Sequence, residues 1–231
     1  MKLEIGHHHP FEIRRYTYPL EKLSGFRILY LSDLHFSRWN HRLTSHIVEE
    51  TNRLRPDIIL LGGDYADSKK GLYYFKHLMQ SISHHKHIFS IPGNHDRWHL
   101  QQVREIVETC NGVWLQNASA FVKAGGLTIQ IDGSAPVYSA VHPDFSILCL
   151  HKPINPENIA HRYHLIFAGH LHGSQVVLWT TPRGLYPGRL IYKWNRLSAN
   201  MKSCLYLISK GLGDTLPVRY NCKKDLILVE L

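Results

Sequence analysis

Five times along this chain an apolar run stops at side chains able to ligate a metal ion. Phe26–Leu31 leads into Asp33-Leu34-His35, Asp57–Leu61 into Gly62-Gly63-Asp64, and Ile88–Ile91 into Gly93-Asn94-His95-Asp96. Later, Phe145–Leu150 meets His151, and Leu165–Ala168 meets Gly169-His170-Leu171-His172. Short continuous apolar runs are the strands that parallel sheets bury on both faces. In open α/β sheets, ligands collect beyond the carboxyl ends of such strands. The pattern therefore constrains fold and site together, because one rim gathers all five segments. Asn, Gly and Asp are ordinary turn residues, and with 18 histidines in the chain any single one is weak evidence. The weight lies in the fivefold repetition.

Between the early strands the apolar spacing turns helical. Thr44–Leu54 carries Ile47, Val48 and Leu54 and is stopped by Pro56. Gly71–Ile82 places Leu72, Phe75, Leu78, Met79 and Ile82 on one stripe, and Leu100–Cys110 presents Val103, Ile106 and Val107. This order predicts βαβ units with right-handed crossovers and a parallel sheet. Phe11–Tyr18 alternates and reads as an edge strand. From Val113 the texture changes to short strands divided by Gly or Asn, at Val113–Leu115, Phe121–Lys123, Leu127–Ile131, Phe145–Leu150 and Leu165–Ala168. One brief helix is expected near Glu157–Arg162. Val176–Trp179, Leu205–Ile208 and Leu226–Val229 are expected to complete a second β-rich half. Thr180–Ser203 has little periodicity and reads as a surface excursion near the site. With no repeat and no linker, the expectation is one α/β domain over residues 1–231 with two packed sheets, residues 1–10 being disordered or an edge segment.

The net charge of +9 and the pI near 9.4 favour anionic partners: nucleic acid, an acidic membrane surface or phosphorylated small molecules. The cations form no long run, which makes nucleic acid the lesser expectation. Cys110, Cys149, Cys204 and Cys222 show no CxxC spacing, so reduced thiols and a reducing compartment are expected. Met1–Arg15 is too polar for a signal peptide and no run is long enough to span a bilayer. The expected location is cytoplasmic, with peripheral contact at an anionic membrane. His7-His8-His9, a natural turn or an added tag, stays outside the site argument.

Gathered at a rim, the five segments offer Asp33, His35, Asp64, Asn94, His151, His170 and His172, with His95 and Asp96 beside them. In Asp33-Leu34-His35 and His170-Leu171-His172, residues two apart face one side if the backbone is extended. This oxygen and nitrogen set suits Mn²⁺, Fe²⁺, Zn²⁺, Co²⁺ or Ni²⁺ better than Ca²⁺. The donors exceed one ion's need, and Asp64, without a histidine nearby in sequence, is the expected bridge between two ions about 3.5–4 Å apart. Such a pair lowers the pKa of a water and neutralises phosphate oxygens. His95 then stabilises the transition state or protonates the leaving oxygen, with Asp96 orienting its ring. Asp67 reads as a loop cap. Arg38 is a candidate for holding a substrate phosphate, and Trp39 and Trp98 for an apolar lip. Arg183, Arg189 and Lys193, mixed with Leu185, Tyr186, Tyr192 and Trp194, have the composition of a membrane-facing or an RNA-binding surface.

The motifs D-x-H, G-G-D, G-N-H-D, a lone His and G-H-x-H, in order from Asp33 to His172, resemble the calcineurin-like metallophosphoesterase superfamily. The resemblance implies an αββα sandwich and two divalent ions, manganese first, with iron, zinc, cobalt, nickel or magnesium as alternatives. It implies Asp33, His35 and His172 on one ion, Asn94, His151 and His170 on the other, Asp64 bridging, and His95 paired with Asp96 as the catalytic histidine. Gly169–Val176, Lys210–Gly213, Leu216–Arg219 and Asn221-Cys222 are similar to a bacterial branch. That branch holds membrane-associated phosphodiesterases and the UDP-2,3-diacylglucosamine pyrophosphatases of lipid A synthesis. Ser174 stands for a usual Gly, Leu171 for a usual Thr, and Lys223-Lys224-Asp225 for a usual Pro-Glu context; none is an expected ligand. The implied activity is hydrolysis of a phosphodiester or pyrophosphate bond in a phosphorylated or lipid-linked substrate. The alternatives are a nuclease or cyclic-nucleotide phosphodiesterase of the same fold, or a metal-binding scaffold without catalysis.

Overall fold

Strands that are apolar on both faces need a layer on each side. The computed structural model, which describes residues 2–6, 10–38, 40–137 and 142–231, supplies both. His7–His9 and Trp39 lie outside the described residues. The first six-stranded sheet runs in spatial order Glu12–Thr17, Asp225–Glu230, Arg27–Leu31, Ile58–Leu61, Ile88–Ser90 and Gly112–Trp114. Its last four strands are parallel. Alternate residues part to opposite faces. Leu29, Leu31, Ile59 and Leu61 join a core with the helices, while Ile28, Tyr30, Ile58 and Leu60 join a core between the sheets. Helices α1 (His41–Leu54), α2 (Lys69–Ile82) and α3 (Leu100–Thr109) bring Ile47, Phe75, Leu78, Met79 and Val103 to the first of these cores. The Ser68 hydroxyl accepts the Gly71 N–H at 3.1 Å and caps α2. Arg55 in the left-handed region, followed by Pro56, ends α1.

The second six-stranded sheet runs Ser198–Met201, Cys204–Ile208, Leu165–Ala168, Phe145–Cys149, Leu127–Gly133 and Ala118–Ala124. Its four inner strands are parallel and its edges antiparallel. Ile147, Phe167 and Leu207 face the first sheet. Leu148, Ile166 and Tyr206 face outward and are covered by Ala160, Tyr163 and Trp194.

Several expectations change. Leu226–Val229 belongs to the first sheet, where its strand pairs parallel with Glu12–Thr17 and antiparallel with Arg27–Leu31. An apolar run carries no record of its distant partner, so its sheet could not be read from spacing. The brief helix expected near Glu157–Arg162 is a 3₁₀ turn, Ala160–Arg162, over the outer face of the second sheet. Thr180–Ser203 holds a hairpin strand, Gly184–Pro187, paired with Val177–Thr181, and the edge strand Ser198–Met201. Leu3–Ile5 pairs with Val218–Tyr220. All four cysteines are buried and unpaired. Among the described residues no helix is long and apolar enough to cross a membrane.

Candidate active site

The parallel strands of both sheets end at one rim, and tight turns aim their last residues inward. Asp33, His35, Asp64, His170 and His172 all have positive φ, between 42° and 71°. Non-glycine residues pay roughly 1–2 kcal/mol for that region, and such strain clusters at functional sites. Convergence therefore comes from left-handed turns, and the extended backbone expected for Asp33-Leu34-His35 and His170-Leu171-His172 does not occur. An extended pair would point both side chains along the sheet normal; the turn rolls them toward a common centre. Gly63 and Gly93 permit two of these turns to touch. A Cβ on Gly93 would fall on the Asp64 carboxylate and one on Gly63 on the Gly93 backbone.

Three groups of donors form. Asp33, His35 and His172 lie within 4.8 Å of one another, as do Asp64, His151 and His170, and also His35, Asp67 and His95. Asp64 joins the first two groups: its Oδ2 is 3.6 Å from His35 Nε2 and 3.3 Å from His151 Nε2. Its Oδ1 accepts the His95 N–H at 2.7 Å. Asn94 Oδ1 is 2.9 Å from His151 Nε2. The ring orientations are set from behind. His151 Nδ1 lies 2.9 Å from the Gly62 carbonyl, an acceptor only, so Nδ1 carries a proton and Nε2 is the nitrogen that would face an ion once it gives up its own. His35 Nδ1 is 3.0 Å from both oxygens of Asp67, which does the same for its ring. Asp33 accepts the His170 N–H at 2.9 Å and the Ser32 hydroxyl at 2.6 Å.

Electrostatics mark the same centre. Burial pushes the Asp33 carboxyl up, despite the cationic rings of His151 and His35 nearby. Burial would also raise Asp64, but its hydrogen bond to His151 and the charges of His151 and His35 hold it well below the usual carboxylate range. Burial would lower His151, yet Asp64 and Asp33 lift it to about 9. His170 is pushed down to about 4 by burial and the positive charges of His151 and Lys152. The Nε2 atoms of His35 and His172 face each other at 3.1 Å. Two such nitrogens stay apposed when a proton or a cation lies between them. Buried carboxylates and imidazoles aimed at shared points fit a pair of divalent ions.

Two supporting carboxylates differ from expectation. Asp96 does not touch the His95 ring. It is fully buried, and its oxygens accept the N–H groups of Gly93 at 2.7 Å, Asp64 at 2.8 Å and Tyr65 at 2.8 Å. It clamps the Gly62-Gly63-Asp64 loop to the Gly93–Asp96 loop. The partner of His95 is Asp67, 3.3 Å from its Nδ1, and Asp67 is thus more than a loop cap. Its position three residues after Asp64 was visible in the sequence; its reach back across the loop was not. Asp67→Asn should weaken both rings' support and lower metal affinity or turnover by about 10–100-fold, read by metal titration and steady-state rates.

A further support was invisible in sequence. Arg219 and Lys224 are buried, and both pair with Asp214, at 2.6 Å each. Arg219 donates to the Gly213 carbonyl at 2.8 Å and approaches His172 Nδ1 at 3.5 Å, while the Cys222 thiol donates to the His172 carbonyl at 3.3 Å. This triad ties the C-terminal segment to the back of the His172 turn.

Two hollows flank the donors. One, of about 340 Å³, brings Asn94 and His151 together with Gln116, Asn117, Ser134 and Lys152, beside Pro92, Leu150 and Ile154. The other, of about 340 Å³, runs from His170 and His172 to Val176, Ile191, Tyr192 and Leu216. Arg38 is exposed and lines neither hollow.

A family model described as calcineurin-like phosphoesterase matches residues 26–174. The chain is 25% identical to phosphodiesterase YaeI of Escherichia coli K12, over 96% of this chain and 88% of that protein. It is 26% identical to an uncharacterized metallophosphoesterase of Helicobacter pylori 26695, over 68% of this chain and 47% of that protein. It thus spans about half the length of the latter. In fold it is similar to a dimetal phosphatase from Danio rerio, with a TM-score of 0.52 at 11% identity over 86% of this chain and 94% of that one. The Thermus thermophilus protein TT1561 gives a TM-score of 0.51 at 10% identity, over 82% and 91% of the two chains.

Proposed function

This chain belongs to the calcineurin-like phosphoesterase family, whose members are metal-dependent phosphoester hydrolases, and from that premise we propose that it cleaves a phosphodiester or pyrophosphate bond in a lipid-linked substrate. The observation that carries the reading is the convergence of Asp33, His35 and His172 with Asp64, His151 and His170, with Asp64 between the two sets. These six residues and Asn94 would hold two divalent ions. When bound, the ions supply Lewis acidity at the phosphoryl oxygens and a water of lowered pKa.

The chain's own groups do the rest. His95 has Nδ1 against Asp67; in its imidazolium form the ring donates Nδ1–H to that carboxylate and gives the Nε2 proton to the departing oxygen, leaving the neutral ring. The Asp67 carboxylate stabilises that ring while it is cationic. Asp96 fixes the two loops so that Asp64 and His95 keep their spacing. The flanking hollows support an amphiphilic substrate: amide, hydroxyl and ammonium groups on the His151 side suit a phosphorylated head such as a sugar nucleotide, and the apolar wall on the His172 side suits acyl carbons. An acylated sugar nucleotide of the UDP-2,3-diacylglucosamine kind has both halves.

Turnover of bis(p-nitrophenyl) phosphate by the purified chain should require added Mn²⁺ or a related ion and disappear with a chelator. Ion binding should also raise the melting temperature, since about 2.7 kcal/mol is gained at a hundredfold excess over Kd. Chelator-resistant turnover, or no turnover with any divalent ion, would count against the proposal. Comparing a phosphodiester of RNA or DNA with an acylated sugar nucleotide then separates the substrate classes.

A further inference from the structure

Several of the large apolar side chains left in water stand around the His172 hollow. Leu190 and Ile191 are 76% and 77% exposed, more than any other large apolar side chain among the described residues. Their turn is held firmly. Arg189 donates to the Tyr192 carbonyl at 3.2 Å and to that of Lys193, while Asn195 Nδ2 donates to the Leu185 carbonyl at 3.0 Å and to Ser174 Oγ at 2.7 Å. The exposure is therefore a built feature of the fold. Ile191 and Tyr192 rim the hollow that starts at His170 and His172, and Val176 and Leu216 form its other rim, Leu216 at 65% exposed. The apolar face continues onto the small sheet, where exposed Ile5 pairs with exposed Val218. Contiguous apolar faces of this extent mark interaction sites.

Charge identifies the occupant. Between Glu157 and Asp214 the sequence has no acidic residue, and the same stretch carries Arg183, Arg189, Lys193 and Arg196 around the apolar tip. Leu185, an interfacial candidate by sequence, is buried and only supports the hairpin beneath. Trp179 stacks on Tyr186 at 5.2 Å between ring centroids and remains half exposed. Of the acids, Glu157 shares a hollow with Arg189, Lys193 and Arg196, so the cations there outnumber it three to one. Exposed aliphatic side chains at a tip, aromatics beside them and an excess of cations around them are the chemistry that enters a phospholipid interface. A nucleic acid would be met by the cations but would leave Leu190 and Ile191 without a role.

We propose that this face docks on an anionic phospholipid bilayer, with Leu190 and Ile191 entering the interface and Arg183 and Lys193 meeting lipid phosphates. Docked so, the hollow beside His170 and His172 opens at the lipid surface. The inference deepens the lipid-linked reading and rests on it for its purpose, while its test needs no turnover. The full chain is floated with phosphatidylcholine vesicles with and without phosphatidylglycerol. Binding to the anionic vesicles should exceed that to neutral ones by about tenfold or more and weaken with salt. Leu190→Asp and, independently, Lys193→Glu should each reduce it severalfold, with aryl phosphodiester turnover unchanged. Failure of the unaltered chain to bind anionic vesicles, or equal binding by Leu190→Asp, overturns the proposal. So does single-stranded RNA that displaces the vesicles and binds Leu190→Asp as tightly as the unaltered chain. Vesicle binding by a chain that turns over no phosphodiester would sustain this inference while refuting the catalytic one.

Discussion

Asp64→Ala should reduce Mn²⁺-dependent phosphodiester turnover by on the order of a thousandfold, about 4 kcal/mol of transition-state stabilisation. The size follows from position. Asp64 Oδ2 lies 3.6 Å from His35 Nε2 and 3.3 Å from His151 Nε2, so one carboxylate serves both donor sets. Its removal takes negative charge from between the rings of His35 and His151, whose protonated forms would then repel incoming cations. Bound metal measured by elemental analysis should fall below two ions per chain, and the rate should fall with it. A variant that keeps two ions and turns over within a fewfold of the unaltered chain would refute the shared-centre reading. Asp64→Asn makes the finer comparison, since it keeps an acceptor for the His95 N–H and loses only the charge.

His95→Ala should lower kcat by about 10²–10⁴-fold while leaving metal content intact. The ring belongs to neither of the two sets joined by Asp64, and its side chain is 40% exposed, so truncation opens no core cavity. The loss should depend on the leaving group. A nitrophenolate departs with little need of a proton, whereas an alkoxide needs one. The variant should therefore be least impaired on aryl esters and most impaired on alkyl esters or a sugar-linked phosphate. Equal losses on both would assign His95 to transition-state charge stabilisation, and no loss on either would remove it from the chemistry. Asp67→Asn should show the same leaving-group trend more weakly, because Asp67 acts through the ring.

Much of this was legible in the chain. The apolar runs of Arg27–Leu31, Ile58–Leu61 and Leu165–Ala168 announced strands buried on both faces, because their unbroken apolarity leaves no side for water. The stripes of α2 and α3 announced the helical layer in the same way. The donors were legible because each follows its strand at once. Asp67 and Asp96 exchanged their expected parts because adjacency in sequence suggested Asp96 for His95, while in the folded loops the Asp96 carboxylate turns back to three backbone N–H groups. The Arg219–Asp214–Lys224 cluster offered no sequence cue: like charges and a carboxylate within eleven residues also describe an exposed loop, and only burial makes them a structural unit.

Local pattern marked the inner strands of both sheets and the three long helices, and put metal-ligand side chains at the ends of five strands. Both are local properties, set by hydrophobic spacing and by the residue that follows it. Only the tertiary structure decided that Asp225–Glu230 returns between the first two strands of the opposite sheet, that left-handed turns carry Asp33, His35, Asp64, His170 and His172 to one centre, and that Leu190 and Ile191 stand in water beside it. Those outcomes depend on pairings between residues far apart in the chain, whose free energy exists only once both partners are in place.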